Sequence, residues 1–459
     1  MALFPLALVV ELGIDGSWVD ITGDVRTRED IAIVRGRPDE GDTVDPGKCT
    51  VVLNNRHGRY SPRNPRSPYY GLIGRNTPLR VGVRTEGETI VWRFHGEVSA
   101  WPARWDLSGN DRWVPIEAAG ILRRLDQQHS ALQTALRRVI QAHRPVAYWI
   151  LDDPESAGSR GASAVPGGRR MRWAERDHST GSVHRMTPQW KEAELAPWLE
   201  ETVRTDKDRG IASGSVPGVT SSWAADMIRV GRGGQDNVTI ATQTSGGTEV
   251  TWYLLEDPTV SPREVGVSVR TDAEGEAEQT TVLASAPALW MLDDEPHHVR
   301  FTVAPEGAGA AWSVSVDGDE VLSGTADVPA APVTQWAYEW WVPDEDVSEH
   351  LGLGHVTVWG TDRPSTSAMV AAMRGHAGEP AARRIERLCA EADIPVRIVG
   401  DPDETLPMGP QAPDGPLDLV REAAEVDGGV LYESREEFGL TYRTLRSIYN
   451  RGAQLVDNQ

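Results

Sequence analysis

The stretch CTVVLNNRHGRYSPRNPRSPYYGLIGRNTPLRVGV, residues 49–83, joins two apolar segments through a loop rich in proline and arginine. Segments 49–53 and 79–83 each place apolar side chains at every second position. Because side chains alternate between the two faces of a strand, this spacing predicts two β-strands with one buried face each. We call the intervening residues 54–78 the arch.

The arch combines residues that favour turns, residues that restrict the backbone and residues that are enriched at protein interfaces. Asn54, Asn55 and Gly58 favour turns, and its prolines fix the backbone angle φ. Arginine and tyrosine are enriched at interface hot spots, so we expect the arch to dock on another protein. The alternative is an ordered loop that packs only on its own domain. The candidate subunit-interface residues are Arg59, Tyr60, Arg63, Arg66, Tyr69, Tyr70 and Arg75.

Overall composition limits the classes of function. The chain has 459 residues, enough for several domains, and a net charge of −22. A strongly negative protein is poorly suited to binding nucleic acid through phosphate contacts. The two cysteines lie in apolar periodic segments, which favours buried thiols over a disulfide. No apolar run reaches the ~18 residues of a membrane span, and the N-terminal run lacks a basic leader, so we expect synthesis in the cytoplasm.

Residues 1–128 predict a β-domain, and residues 129–143 predict a linker helix. Short alternating segments separated by Gly, Asp and Pro are typical of a barrel-like domain or a small sandwich. The sequence ALQTALRRVIQAH at 131–143 has apolar residues at helical spacing and ends before a proline.

Residues 144–363 predict a β-sandwich, because many short strand-like segments occur with almost no helical periodicity. Residues 364–459 predict an α+β segment. AARRIERLCAEA at 381–392 is amphipathic, and PLDLVREAAEVD at 416–427 begins with proline and is followed by two glycines. The chain is therefore mainly β, with an α+β segment at its C-terminal side.

The flanking segments resemble a tail hub or minor tail protein of an actinobacterial phage. The first match comprises IAIVRGRPDE at 31–40, NNRHGRYSPRNPRSPYYGLIGRNTPLRV at 54–81, FHGEVSAWPARWDLSG at 94–109 and VPIEAAGILRRL at 114–125. The second comprises residues 381–433, with a helix, an MGPQ turn, a second helix and a tyrosine-bearing strand. The resemblance implies a structural protein of the virion tail tip. It also implies a homo-oligomer, a trimer, that contacts the distal tail ring and other tail proteins.

The middle segment resembles a laminin-G or concanavalin-like jelly roll. The matching residues are PVAYWILDD at 145–153, HHVRFTVAP at 297–305, WSVSVDGDEV at 312–321 and GHVTVWGT at 354–361. Since similar sequence lies on both sides of it, this sandwich is expected to be an insertion in the hub-like domain. Some relatives of such domains bind calcium, but no clear set of calcium ligands is present here.

Sequence motifs for catalysis are absent, so we expect no enzymatic activity. There is no GxSxG elbow, HExxH motif or cysteine pair, and GDTVDPGKCT at 41–50 departs from the phosphate-loop spacing. His297 and His298 are adjacent, so on a strand they would face opposite ways. Acidic groups at 152–153, 293–295 and 344–346 could supply oxygen ligands but are more typical of solvated turns.

The predicted sandwich is rich in tryptophan. Exposed aromatic rings can stack on sugars, whereas buried rings form the core. The candidate carbohydrate-contacting residues are Trp173, Trp190, Trp198, Trp340 and Trp341. Host cell-wall polysaccharide is therefore a candidate partner. A carbohydrate-binding, lectin-like adhesin is the alternative function, and a cell-wall hydrolase is a third hypothesis without a nominated catalytic pair.

Overall fold

The computed structural model forms two compact units. The first unit comprises Met1–Leu132, Gly378–Gly409 and Asp414–Gln459, and the second comprises Gln133–Ala377 and Pro410–Pro413. The residues that the structure describes are 7–36, 44–85, 89–127, 130–153, 160–175, 183–186, 198–200, 202–205, 208–218, 220–232, 235–257, 264–272, 279–288, 290, 293, 295–342 and 350–449. The domain boundaries at 128, 143 and 363 stay sequence predictions.

The N-terminal part of the first unit is an eight-stranded antiparallel sheet followed by a short helix. The strands are β1 (Ala7–Ile14), β2 (Ser17–Asp20), β3 (Ala32–Gly36), β4 (Asp45–Asn54), β5 (Thr77–Arg84), β6 (Ile90–Ala100), β7 (Arg104–Trp105) and β8 (Arg112–Ala119). Their order is β2-β1-β5-β6-β8-β4-β3, and β7 pairs with β8. Helix α1 spans Ile121–Asp126.

Strand alternation places the core of this sheet on one face. In β4 the residues Cys49, Val51 and Leu53 are buried while their neighbours are exposed or half-buried. Leu79 and Val81 of β5 pack in the same cluster. The two strands predicted on either side of the arch are therefore present, and the arch leaves the sheet between them.

The C-terminal part of the first unit contains helices and a small sheet. The elements are α4 (Ala381–Glu391), β25 (Val396–Val399), α5 (Pro416–Asp427), β26 (Val430–Glu433), β27 (Leu440–Arg443) and α6 (Leu445–Tyr449), with a 3-10 turn at Pro402–Glu404. Strand β27 pairs antiparallel with β26 and parallel with β25. Helix α5 ends at Asp427, as predicted, and the following Gly428 adopts φ 73°.

One carboxylate connects the two sequence segments of the first unit. Glu433 on β26 accepts hydrogen bonds from the backbone N–H groups of Gly47 and Leu122, each at 2.8 Å. The carboxylate therefore satisfies an otherwise unpaired N–H in the first turn of α1. Side chains of α1 also share an apolar cluster with α4 and α5. The first unit is one body built from distant parts of the chain.

The second unit is a sandwich of two antiparallel sheets. Its strands are β9 (Ala147–Trp149), β10 (Arg160–Gly161), β11 (Met171–Glu175), β12 (Val183–Met186), β13 (Thr202–Thr205), β14 (Asp208–Ser215), β15 (Trp223–Arg232), β16 (Gln235–Gln243), β17 (Glu249–Asp257), β18 (Glu264–Asp272), β19 (Gln279–Pro287), β20 (His297–Glu306), β21 (Gly309–Val316), β22 (Asp319–Ala326), β23 (Val333–Val342) and β24 (His350–Trp359). One sheet has the order β10-β11-β14-β23-β16-β17-β18-β19. The other has the order β12-β13-β24-β15-β20-β21-β22, with β9 paired to β24.

Large aromatic side chains fill the space between these sheets. Trp149, Trp223, Trp252 and Trp336 are almost fully buried in one apolar cluster with valines from both sheets. A hairpin turn at Asp317-Gly318 joins β21 to β22, and both residues have positive φ. The fold prediction, a mainly β chain with a jelly-roll-like sandwich and an α+β segment, is confirmed.

Two helices accompany the sandwich: α2 (Ala135–Ala142) and α3 (Thr366–Met373). Thr134 and Ser365 cap them by accepting backbone hydrogen bonds through their hydroxyl groups. Helix α2 lies within the region predicted as a linker helix. Among the described residues, no helix has the length and apolar character needed to cross a membrane.

Candidate functional site

The backbone of the arch is a series of linked turns. The N–H groups of Asn64, Ser67 and Tyr70 donate to the carbonyls three residues earlier, at 2.9, 2.9 and 3.1 Å. In each turn the second position is proline, the residue favoured there because its φ is already fixed. These prolines are Pro62, Pro65 and Pro68. The repeated S/N-P-x pattern therefore predicts the turn series.

Polar side chains hold the turns together. The amide of Asn55 accepts from the N–H of Tyr60 at 2.9 Å and donates to the hydroxyl of Ser61 at 2.9 Å. The side chain of Asn64 donates to the Gly58 carbonyl at 3.0 Å. Backbone and side-chain hydrogen bonds together therefore hold the backbone of the arch in one conformation.

Tyr60 is a correction to the predicted interface, because it is 0% exposed. Its ring lies parallel to Trp101, with centroids 6.3 Å apart, and its hydroxyl donates to Asp24 at 2.6 Å. Burial, followed by the contact with Asp24, raises the pKa of the phenol. Tyr69 is half-buried against the same core. These two tyrosines attach the arch to its own sheet, as the alternative interpretation of the arch expects.

The other predicted interface residues face solvent. Arg59 is exposed but forms an ion pair with Asp24 at 2.8 Å. Arg63, Arg66 and Arg75 are exposed and form no ion pair within the described part of the chain. Tyr70 is 55% exposed, and Leu72, which the sequence analysis did not select, is 47% exposed. The arch thus presents two apolar side chains beside three uncompensated cations.

The candidate carbohydrate-contacting tryptophans differ in their exposure to solvent. Trp340 is only 5% exposed and belongs to the sandwich core, so its ring cannot stack on a sugar, and the prediction for this residue was wrong. Trp198 is half-buried close to Gly375. Trp190 lies outside the described residues, as do the side chains of Trp173 and Trp341 on β11 and β23.

The outer face of the β16–β19 region carries an aromatic ring that is not among the candidate carbohydrate-contacting residues. Trp252 and Leu254 of β17 point into the core, so Tyr253 and Leu255 point away from it. Tyr253 lies opposite Ser268, and Leu255 opposite Gly266, on β18. Leu255 is 37% exposed, and Val282 on β19 is 75% exposed. Alternation relative to the tryptophan at 252 could have identified this face.

A buried ionic network lies in the second unit. Arg300 donates two hydrogen bonds to Asp226, at 2.6 and 2.7 Å, and the Trp359 indole donates a third at 2.9 Å. Burial opposes ionisation of Asp226, but the bonds from Arg300 and His298 outweigh it and hold the carboxyl pKa well below its usual range. The pairing of Asp226 with Arg300 is typical of a structural core, since buried charges are stable only when paired.

Asp153 and Asp293, two of the carboxylates considered as calcium ligands, have other partners. Asp153 accepts from the N–H of Ala162, and Asp293 contacts His297 at 2.8 Å. Within the described part of the chain, no group of three or more His, Cys, Asp or Glu side chains is arranged to hold a metal ion. The acidic group at 344–346 lies outside the described residues.

No protein-family model matches the sequence. No curated protein matches it either. Solved structures with similar architecture include the botulinum neurotoxin serotype D ligand binding domain in complex with N-acetylneuraminic acid (8% identity, TM-score 0.32, covering 52% of each chain). The serotype G binding domain (8% identity, TM-score 0.29, covering 50% of each chain) is another. This chain therefore spans about half the length of these structures, and TM-scores this low carry no inference about its function.

Proposed function

We propose that this chain is a structural protein of a phage tail tip, a tail hub or minor tail protein that acts by binding rather than by catalysis. The first unit assembles the distal tail as a homo-oligomer, a trimer, and the arch docks on neighbouring tail proteins. The chain is made in the host cytoplasm and functions in the virion. The exposed Arg63, Arg66 and Tyr70 on a closed series of turns are the observation that carries this proposal.

The arch has the chemistry of a binding surface. Arginine and tyrosine provide hydrogen bonds and apolar area, and a pre-organised backbone reduces the entropy cost of association. The buried Tyr60 and the half-buried Tyr69 fix the arch to the sheet, so its exposed side chains are held in place by the core. The outer-side arginines have no ion pair in the described part of the chain, so they are available to a partner.

The test replaces Arg63, Arg66 and Tyr70 together with alanine in the phage that encodes the chain. We expect the purified variant to fold like the wild type but to be depleted from particles, as measured by mass spectrometry of isolated tails. The matched control replaces Arg84 and Arg93, exposed residues at the opposite end of the β5–β6 hairpin. Normal incorporation of the arch variant would reject the docking role.

A second candidate function is contact with host polysaccharide through the outer face of the second unit. The half-buried Tyr253, with the exposed Leu255 and Val282 on the same face and the Arg270 guanidinium 5.9 Å from its ring centroid, offers an aromatic edge that a sugar ring can contact. Calorimetric titration of the full chain with host cell-wall polysaccharide tests it. We expect Tyr253→Ala to abolish binding and Tyr253→Phe to retain it. Equal binding by both variants would exclude this face.

A further inference from the structure

A cavity of about 290 Å³ lies within the first unit, between the paired ends of β3 and β4 and the edge strand β26. Residues 35, 36, 44 and 45 line one side, and residues 430, 432, 433 and 435 line the other. The hydrogen bond from the Gly47 N–H to Glu433, at 2.8 Å, holds β26 against β4 beside the cavity. Its volume is close to the lower limit for ligand pockets in proteins, about 300 Å³.

Two arginines meet at this cavity. Arg35 is half-buried at the end of β3, and Arg435 is exposed in the segment that follows β26. Neither side chain forms an ion pair or a hydrogen bond within the described part of the chain. Burial and the positive charge of Arg435 lower the pKa of Arg35, so the two guanidinium groups are close enough to repel each other. A bound anion would relieve this repulsion.

The acidic residues at the cavity do not neutralise these arginines. Both carboxylate oxygens of Glu433 accept backbone N–H groups, from Gly47 and Leu122. Burial outweighs these bonds and the nearby Arg35 and raises the pKa of Glu433, which disfavours its charged form. Asp45 is exposed at the start of β4 and forms no ion pair with an arginine among the described residues. The guanidinium groups are therefore available to an external anion.

Apolar and aromatic side chains form another part of the cavity wall. Val44 and Val430 contribute aliphatic surface, and Tyr432 contributes a ring, and all three are half-buried. Guanidinium groups bind carboxylates and phosphates through paired, charge-assisted hydrogen bonds. Apolar walls with a few polar groups are typical of sites for organic molecules, in which the polar groups fix the orientation. An inorganic ion would satisfy the arginines but leave the apolar wall without a contact.

We propose that this cavity binds a small organic anion. Arg35 and Arg435 hold its carboxylate or phosphate head, and the two valines and the tyrosine ring contact its apolar body. The site is separate from the arch, so this inference does not depend on the proposed docking function. A loss of docking would leave the binding of the anion unchanged, and the reverse also holds.

Titration of the full-length chain with small probes tests this site. The probes are benzoate, phenyl phosphate, the neutral benzamide, and acetate, which has the charge without the ring. Ligand-observed NMR measures each dissociation constant, and circular dichroism checks that each variant is folded. The charge variant is Arg35→Gln/Arg435→Gln, and the cavity-filling variant is Val430→Phe. The control, Arg28→Gln/Arg84→Gln, removes two exposed positive charges that do not line the cavity.

We expect benzoate or phenyl phosphate to bind the wild type and the control equally, and at least about tenfold more tightly than benzamide or acetate. The anion that binds more tightly identifies the head group. The charge variant and the cavity-filling variant should each weaken this binding at least about tenfold, since one removes the cations and the other occupies the space of the apolar body.

Three results would overturn the inference. The first is that neither aromatic anion binds at millimolar concentration. The second is that acetate binds as tightly as benzoate, because the arginines would then attract any anion without a cavity. The third is unchanged binding by a folded charge variant. If that variant does not fold, the cavity-filling variant and the wild-type preference for benzoate over benzamide decide the question.

Discussion

The arch and the buried network of the second unit use arginine in opposite ways. Arg63 and Arg66 face solvent on proline-containing turns, with no ion pair in the described part of the chain. Arg300 is 4% exposed, and its donors reach Asp226 and the Pro364 carbonyl. A buried guanidinium stabilises one conformation, whereas an exposed guanidinium on a rigid turn is available to a partner.

Aromatic residues show the same contrast. In the second unit, Trp252, Trp336 and Trp340 are buried between the sheets. In the arch, Tyr60 is buried but Tyr70, ten residues later, is exposed. Residue type alone therefore does not identify a binding surface. What distinguishes the two roles is whether the backbone directs the side chain toward the core, and four variants test that distinction.

The largest effect is expected for Asp226→Asn, which removes the charge from the buried network. Arg300 then remains buried without a full countercharge, so the free energy of unfolding should fall by about 3 to 5 kcal/mol. Urea unfolding followed by tryptophan fluorescence measures this change. The comparison variant is Arg59→Ala, which breaks an exposed ion pair and should cost about 1 kcal/mol or less. Equal losses would remove the distinction between the two regions.

A smaller effect is expected for Tyr60→Phe. The change deletes the hydroxyl that donates to Asp24 but keeps the buried ring. A hydrogen bond to a charged group contributes about 1.5 to 3 kcal/mol, so unfolding measurements should show a loss in that range. Tyr70→Phe is the matched control because Tyr70 is exposed. If Tyr60→Phe were neutral while Tyr70→Phe were destabilising, Tyr70 rather than Tyr60 would attach the arch to its own sheet.

The sequence predicted those elements in which periodicity and boundary signals agree. Helix α5 has apolar residues at helical spacing, a proline at its start and glycine after its end, and its predicted bounds match the structure. Helix α3 was missed because TSAMVAAM is mostly small or apolar and lacks a polar face. The serine at 365, which caps it, was the available signal.

The candidate site was less predictable because it depends on contacts between distant residues. Local sequence does not indicate that Tyr60 is buried and Tyr70 is exposed. The burial of Tyr60 depends on its contacts with Trp101 and Asp24, which are distant in sequence. Likewise, Trp340 belongs to a strand in which side chains alternate between two faces. The sequence does not show which of these faces packs on the core. Glu433 is 386 positions away from Gly47, so their hydrogen bond could not be inferred from either segment.

A pH-dependent effect is expected at His297, at the edge of the buried region. Burial disfavours its charged form, but hydrogen bonds to Asp317 and Asp293 outweigh burial and raise the imidazole pKa. The folded state therefore holds this proton more tightly, and the added stability, present below about pH 6.5, is lost as pH rises through the raised pKa. In thermal melts from pH 5.5 to 8.5, His297→Asn should remove this decline, at a cost of about 1 kcal/mol at low pH. His57→Asn, an exposed change in the arch, should keep the wild-type profile.

The smallest effect on stability is expected for Arg66→Ala combined with Tyr70→Ala. Neither side chain contributes to the core of the first unit, and the hydrogen bonds that close the turns use backbone atoms that alanine retains. The free energy of unfolding should therefore stay within about 0.5 kcal/mol of the wild type. A larger loss would mean that the outer side of the arch stabilises its own domain, as Arg300 does in the sandwich. Unchanged stability together with lost incorporation into tails would instead mean that these side chains contact a partner. A residue that is unimportant for folding is needed for assembly only if its contacts lie outside the chain.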